Sequence, residues 1–456
     1  GMMALEAVNP ATGEKIKTYP EMTLGEVESR IDRAEQAFAD WKARAFSERS
    51  ELMKKAAGML RDKAGEFARL MALEMGKPVR DGRPEIEKCA WVCDHYAEQA
   101  ESILSPEIIA TDAGKSYVNF QPLGVVLAVM PWNYPFWQVF RFAVPALMAG
   151  NAGVLKHSAN VPGCALAIED VFRQAGFPES IFQTLMIGGE RVEKVIENPL
   201  VKAVTLTGSK PAGQAVAATA GRLLKKSVLE LGGSDPYIVL EDADLEAAAA
   251  ACAASRLLNS GQSCIAAKRF VVVEVVRHSF EALLVDQMRA KKMGDPMVES
   301  VEIGPQARFD LRDDLHRQVR QSIEKGARCL LGGKLPEGPG AFYPPTVLTD
   351  VHKGMPAYDE ETFGPVAAVI GVKDEKEAIR VANDTVFGLG AAVFTRDITR
   401  GERIAATALD AGSCFVNAFV KSDPRLPFGG IKESGYGREL SHYGIKEFVN
   451  IKTVYI

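Results

Sequence analysis

From Gly124 onward the chain repeats one pattern: a short, continuous apolar run, then a longer stretch with helical spacing. Gly124 to Met130 is such a run. Gly153 to Lys156 follows, then a helix near Pro162 to Gln174, a strand near Thr184 to Ile187, and Ala203 to Thr207 before another helix. Continuous apolar strands alternating with helices predict a parallel sheet covered on both faces, the doubly wound α/β class, which receives nucleotides at its strand ends. After Gly232-Gly233 the series restarts, with strands near Tyr237 to Leu240, Phe270 to Val276, Val366 to Val372, Ala391 to Thr395 and Cys414 to Asn417. The restart marks a domain boundary, as expected for 456 residues, too many for one compact core.

The first part of the chain reads differently. Asn9 to Glu14 forms the turn of an early hairpin, and Thr23-Leu24-Gly25-Glu26 fits a capping box opening a helix with apolar Val27, Ile31, Ala34, Phe38 and Trp41. Helical patterns run from about Ser47 to Met75, stopped by Gly76-Lys77-Pro78, and from about Glu85 to Leu104; these helices read as scaffold. Lys115 to Gln121 alternates as an exposed strand does, and Leu335 to Gly340 reads as a surface loop.

A formal net charge of -5 argues against a nucleic-acid or polybasic membrane partner. No apolar run has the length to span a bilayer, and Gly1-Met2-Met3 carries no basic-then-apolar signal. The seven cysteines are an odd number scattered through a long chain, which points to a reducing, cytoplasmic setting rather than a disulfide framework. Cys89 and Cys93 share a helix face near His95, but no second cluster completes a metal site, so no metal is expected.

Asn259-Ser260-Gly261-Gln262-Ser263-Cys264 places a cysteine just after a polar turn and ahead of a β-rich run, the position of a nucleophile on a rigid support. Only the thiolate is a strong nucleophile, so such a cysteine needs a lowered pKa or a nearby base. Gly208-Ser209-Lys210-Pro211-Ala212-Gly213 follows a strand and opens a helix, where free backbone N–H groups receive phosphate; its spacing matches neither the P-loop nor G-x-G-x-x-G. Pro131-Trp132-Asn133-Tyr134-Pro135 closes the Gly124 to Met130 strand and offers an amide to a developing oxyanion. Glu230-Leu231-Gly232-Gly233 and Glu361-Thr362-Phe363-Gly364-Pro365 each offer a carboxylate beside glycine.

Together with Pro427-Phe428-Gly429-Gly430-Ile431-Lys432, these motifs resemble the aldehyde dehydrogenase superfamily, in its order and over nearly the whole chain. The resemblance implies an aldehyde dehydrogenase-like α/β fold: a Rossmann-type dinucleotide-binding domain (1–110 and 123–233), a catalytic domain (234–425), and an oligomerisation arm with the C-terminal segment (111–122 and 426–456). Lys115 to Gln121 then pairs with a C-terminal strand near Glu447 to Tyr455, giving a homodimer or a dimer of dimers. It also implies that Cys264 attacks the aldehyde carbon, that the Asn133 amide and the Cys264 N–H hold the oxyanion, and that Glu230 activates the water that hydrolyses the thioester.

The cofactor contacts it implies are Trp132 and Lys156 beside the adenosine ribose, Ser209 at the pyrophosphate, Glu361 with Phe363 at the nicotinamide ribose, and Gly208, Gly213 and Leu231 as further cofactor-binding residues. Where NAD-preferring members carry glutamate, this chain has Ala159, beside Lys156, His157 and Ser158. Without that carboxylate a 2′-phosphate is not repelled, so NADP is expected, with NAD possible. Arg141 and Ser422 match residues with which succinate-semialdehyde dehydrogenases hold the substrate carboxylate, and Tyr134, Trp137 and Phe428 are expected to wall the aldehyde tunnel. Lys421 and Arg425 are further basic candidates in the same loop. The alternative is a broad enzyme for neutral aldehydes in which Arg141 is only structural.

Overall fold

The computed structural model describes residues 4–456, so Gly1-Met2-Met3 lies outside it. The chain opens with the antiparallel hairpin β1 (Ala4–Val8) and β2 (Lys15–Pro20). Its turn is closed by Gly13, at φ 82°, donating to the Asn9 carbonyl at 2.7 Å. Helix α1 (Leu24–Trp41) starts at the expected capping box, with Thr23 and Glu26 exchanging hydrogen bonds. The stretch read as one helix from Ser47 is two, α2 (Phe46–Asp62) and α3 (Ala64–Met75), broken at Lys63 (φ -103°, ψ 11°). Helix α4 (Val79–Ile103) starts well before Glu85 and carries Pro84 inside it.

Next come β3 (Glu107–Ile108), β4 (Ser116–Pro122), β5 (Val125–Val129), α5 (Trp137–Met148), β6 (Ala152–Lys156), α6 (Pro162–Gln174), β7 (Phe182–Thr184), α7 (Val192–Glu197), β8 (Val201–Thr207), α8 (Lys210–Arg222) and β9 (Lys226–Glu230). The second series holds β10 (Asp235–Val239), α9 (Leu245–Leu257), β11 (Ala267–Val273), α10 (Glu274–Arg289), α11 (Phe309–Glu324), β12 (Arg328–Leu331), β13 (Thr346–Thr349), β14 (Val366–Val372), β15 (Gly390–Phe394), β16 (Ser413–Val416), β17 (Gly435–Tyr436) and β18 (Val449–Tyr455). Two strands shift from expectation. β7 ends at Thr184 rather than starting there, and β11 ends at Val273 because the apolar residues after it belong to α10, where Val275 is exposed.

Three sheets organise these elements. The first, β17-β9-β8-β5-β6-β7, is parallel except for the β17–β9 pair. The second, β12-β13-β14-β11-β10-β15-β16, is parallel except for the β12–β13 pair. Their central strands are buried, which is why they read as unbroken apolar runs. The third sheet is antiparallel, β18-β4-β3, with β18 pairing β4 from Val449↔Pro122 to Tyr455↔Ser116. In the first sheet β5 lies between β6 and β8, so the connections leave in opposite directions and open a crevice at the ends of β5 and β8. Asn133 follows β5, and Ser209 follows β8. Among the described residues no helix is long and apolar enough to cross a membrane.

Candidate active site

Cys264 sits in the loop between α9 and β11, and this loop is wound left-handed over three consecutive residues. Asn259 and Ser260 have φ 54° and 58°, and Gly261 has φ 81°. Two non-glycine residues in that region persist only where the surroundings enforce them. Here the enforcement is visible. A Cβ on Gly261 would come within 2.1 Å of the Gly364 carbonyl carbon, so only glycine lets the cysteine loop lie on the Glu361–Pro365 loop. Buried Arg256 fastens the two loops by donating to the Gly261 carbonyl at 2.6 Å and the Thr362 carbonyl at 3.2 Å. Asn259 donates to the Asn133 carbonyl at 2.8 Å, and the Asn133 amide donates to the Gln262 carbonyl at 3.3 Å. Three motifs far apart in the chain thus meet at one thiol.

The thiol is half-buried, and its pKa is pushed up to about 12, chiefly by burial and then by Glu361; Lys268 and Arg141 oppose the rise. The Cys264 N–H donates to no acceptor among the described residues, and the Asn133 amide has a second hydrogen beyond the one used on Gln262. These are two donors available to an oxyanion.

Two carboxylates lie near the thiol, one at the end of β9 and one in the loop before β14. Glu230 is the last residue of β9; both of its oxygens are buried without a hydrogen-bond partner. Burial, reinforced by Glu439, raises its pKa well above the ordinary carboxylate range, against the pull of Arg141 and Arg438. Glu361 is satisfied instead. It accepts from the Gly233 N–H at 2.8 Å and from Lys268 at 3.1 Å, while Lys268 also donates to the Cys264 carbonyl at 2.8 Å.

A cavity of about 310 Å³ gathers Cys264, Glu230 and Leu231 with Tyr134, Trp137, Arg141, Ser422 and Phe428. Arg141 lies in this wall as the motif leads one to expect, but most of its guanidinium is spoken for. Nε donates to Glu439 at 2.7 Å, Nη2 to Thr207 at 3.1 Å, and the group stacks over Phe428 at 4.5 Å. Nη1 has no protein acceptor among the described residues. Lys421 also lines the cavity, whereas Arg425 pairs with Asp423 at 2.7 Å and does not.

The remaining candidates lie outside that cavity. Trp132 and Phe363 meet edge to face at 5.7 Å. Gly208 donates to the Glu230 carbonyl at 3.0 Å, Ser209 caps the exposed start of α8, and a Cβ on Gly213 would strike Leu231 at 2.7 Å; glycine is what lets α8 sit this close to β9. At the end of β6, Lys156 is buried, Ser158 donates to Asn160 at 2.6 Å, and Ala159 is exposed. His157 departs from expectation: it is buried against the Pro135 carbonyl at 2.8 Å and its pKa falls to about 4 through burial, so it brings no charge to a phosphate. The exposed helix start and the open turn at Ala159, both at the strand ends of the first sheet, fit a dinucleotide.

One wall went unread in the sequence. Helix α4, taken as scaffold, turns Asp81, Glu85 and Lys88 into the cavity, and Lys77 just before it lines the same space. Glu85 pairs with Lys77 and accepts from the Phe136 and Trp137 N–H groups at 2.9 and 3.1 Å, so it anchors the start of α5 and with it the Arg141 wall. The available signal was charge at positions 81, 85 and 88, spaced to share one side of the helix. Glu439 carried no comparable signal.

The aldehyde dehydrogenase family profile matches residues 2–454, and the chain belongs to that family. It is 50% identical over 454 residues to a probable succinate-semialdehyde dehydrogenase (NADP(+)) of Synechocystis sp., covering 100% of both chains. It is 51% identical to an aldehyde dehydrogenase of Paenarthrobacter nicotinovorans, covering 99% of this chain and 100% of the other. Among solved structures, a succinic semialdehyde dehydrogenase from Streptococcus pyogenes in complex with NADP+ superposes with a TM-score of 0.97 at 36% identity, covering 99% of this chain and 100% of that one.

Proposed function

We propose that this chain oxidises succinate semialdehyde to succinate with NADP, NAD serving less well. The observation that carries the reading is the single cavity joining Cys264 and Glu230 to Arg141 and Ser422. Relatives named for that substrate and cofactor support it. The cofactor lies across the first sheet, with Ser209, Gly208 and Gly213 at the pyrophosphate, Leu231 behind them, Trp132 and Lys156 at the adenosine ribose, Ser158 and Ala159 toward the 2′-phosphate, and Glu361 with Phe363 at the nicotinamide end. Residues 1–110 and 123–233 form the dinucleotide-binding domain and 234–425 the catalytic domain. Residues 111–122 and 426–456 hold the arm through which a homodimer or dimer of dimers assembles; exposed Ile451, Tyr455 and Ile456 on and beside β18 support that role. Seven free cysteines support a cytoplasmic setting.

When bound, the nicotinamide supplies the hydride acceptor. The Cys264 thiol gives up its proton to solvent, and the thiolate then adds to the aldehyde carbon, forming the C–S bond and placing the negative charge on oxygen between the Cys264 N–H and the Asn133 amide. Loss of hydride from that carbon leaves a thioester on Sγ. Glu230, as carboxylate, takes a proton from water; the water oxygen attacks the thioester carbon, the C–S bond breaks, and Cys264 departs as thiolate.

The Arg141–Glu439 pair favours one other reading, a broad dehydrogenase of neutral aldehydes. Initial rates with NADP and with NAD, using succinate semialdehyde and butanal side by side, separate the two. The expected result is a kcat/KM advantage of at least tenfold for the acidic aldehyde, larger with NADP. A preference for butanal removes the substrate assignment and leaves the Cys264 chemistry standing; no reduction of either cofactor removes the dehydrogenase itself.

A further inference from the structure

The cations around the cavity are not equivalent. Lys77 is fully buried and paired with Glu85, and Arg141 is paired with Glu439. Lys88 forms no ion pair among the described residues. Its ammonium donates to the neutral Ser422 hydroxyl at 2.6 Å and lies over the Trp137 ring at 4.6 Å. Burial, with Arg141 adding to it, lowers its pKa to about 8, against smaller opposite pulls from Cys89, Asp423 and Glu85. The carboxylates that pull on Lys88, Glu85 and Asp423, are already paired with Lys77 and Arg425, so its ammonium faces the cavity with no carboxylate in ion-pair contact among the described residues, an arrangement that costs free energy until an anion arrives. Ser422 accepts from Lys88 and donates to no protein acceptor among the described residues, so its own hydrogen is free.

We propose that Lys88 of α4, acting with Ser422, neutralises the distal carboxylate of the substrate, and that Arg141 and Glu439 form a wall already neutral in itself. The ammonium has two hydrogens beyond the one given to Ser422, and the Ser422 hydroxyl contributes a third donor, enough to hold both oxygens of one carboxylate. Preference for acid over neutral aldehydes then comes from a helix far in sequence from the cysteine loop, not from the arginine in the motif. This inference rests on the acidic-aldehyde reading above.

The test uses the full-length protein and three variants, Lys88→Met, Lys88→Arg and Arg141→Met. In each, kcat/KM is measured for succinate semialdehyde and for butanal, and succinate binding is measured by calorimetry without turnover. In Lys88→Met the acid-to-neutral ratio of kcat/KM is expected to fall at least tenfold, through KM for the acid, with a similar loss of succinate affinity; Lys88→Arg is expected to keep most of both. Two results overturn the proposal alone: a parent that prefers the acid with a Lys88→Met variant whose ratio stays within twofold, or a ratio that collapses only in Arg141→Met. A parent without preference for the acid removes the acidic-aldehyde reading and this inference together.

Discussion

Glu230, at the end of β9, and Glu361, in the loop before β14, lie near one thiol in opposite states. Glu361 accepts from a backbone N–H and from a lysine at Oε2, and Gly232 leaves the room for Oε1, since a Cβ there would fall 2.7 Å from it. Glu230 has neither oxygen bonded, although it is 2% exposed. Buried carboxyls without partners are costly, and a fold keeps one only where the surroundings hold it in place. Gly429 makes the room for it, since a Cβ there would come within 2.8 Å of a Glu230 oxygen. The contrast separates a side chain bonded into the surrounding loops from one left without hydrogen-bond partners.

The largest break in that contrast is Glu230→Gln. Removing the proposed base is expected to lower steady-state turnover by about 10²–10⁴-fold, while one equivalent of reduced cofactor per site still appears in a rapid burst, because the acyl step precedes the need for Glu230. Stability moves the other way. A carboxyl whose folded pKa is raised above its unfolded value destabilises the fold increasingly as pH climbs past the unfolded value, so at pH 7.5 the glutamine variant is expected to unfold at the same or a higher temperature. A lost burst, or a clear fall in Tm, would place Glu230 in the scaffold instead.

Glu361→Gln is expected to invert that result. Lys268, 1% exposed at its side chain, loses its partner carboxylate, and because Glu361 is itself 24% exposed the penalty is reduced to about 1–3 kcal/mol, a few degrees in Tm. Turnover is expected to fall only about tenfold, through poorer placement at the nicotinamide end. Calorimetric unfolding alongside initial rates checks both; an unchanged Tm would show that Lys268 is held by the Cys264 carbonyl alone.

The same asymmetry governs what the sequence disclosed. The doubly wound sheets were readable because buried parallel strands must be apolar throughout, and Cys264, Glu230, Asn133 and Glu361 stood in motifs whose glycines have a geometric reason, as Gly261 against Gly364 does. What stayed hidden depends on contacts across long separations. Lys88 meets Ser422 and Arg141 meets Glu439 through tertiary packing that no local pattern encodes, and an amphipathic helix such as α4 looks the same whether its charged side faces solvent or a cavity. Local ambiguity accounts for a smaller error: a continued apolar run masked the change from β11 to α10.

The finest test of the two carboxylates is the thiol itself. With its pKa near 12, Cys264 in the cofactor-free protein is almost entirely protonated at pH 7, so alkylation by iodoacetamide is expected to be slow and to rise about tenfold per pH unit from pH 7 to 10. Glu361 is the second cause of that elevation after burial, and Glu230 is not among the principal ones. Glu361→Gln is therefore expected to lower the thiol pKa and to speed alkylation about two- to threefold at fixed pH, with Glu230→Gln leaving the rate where it was. Rates that rise equally in both variants would mean that the carboxylates act on the thiol alike, and the distinction between the satisfied group and the free one would have to rest on turnover alone.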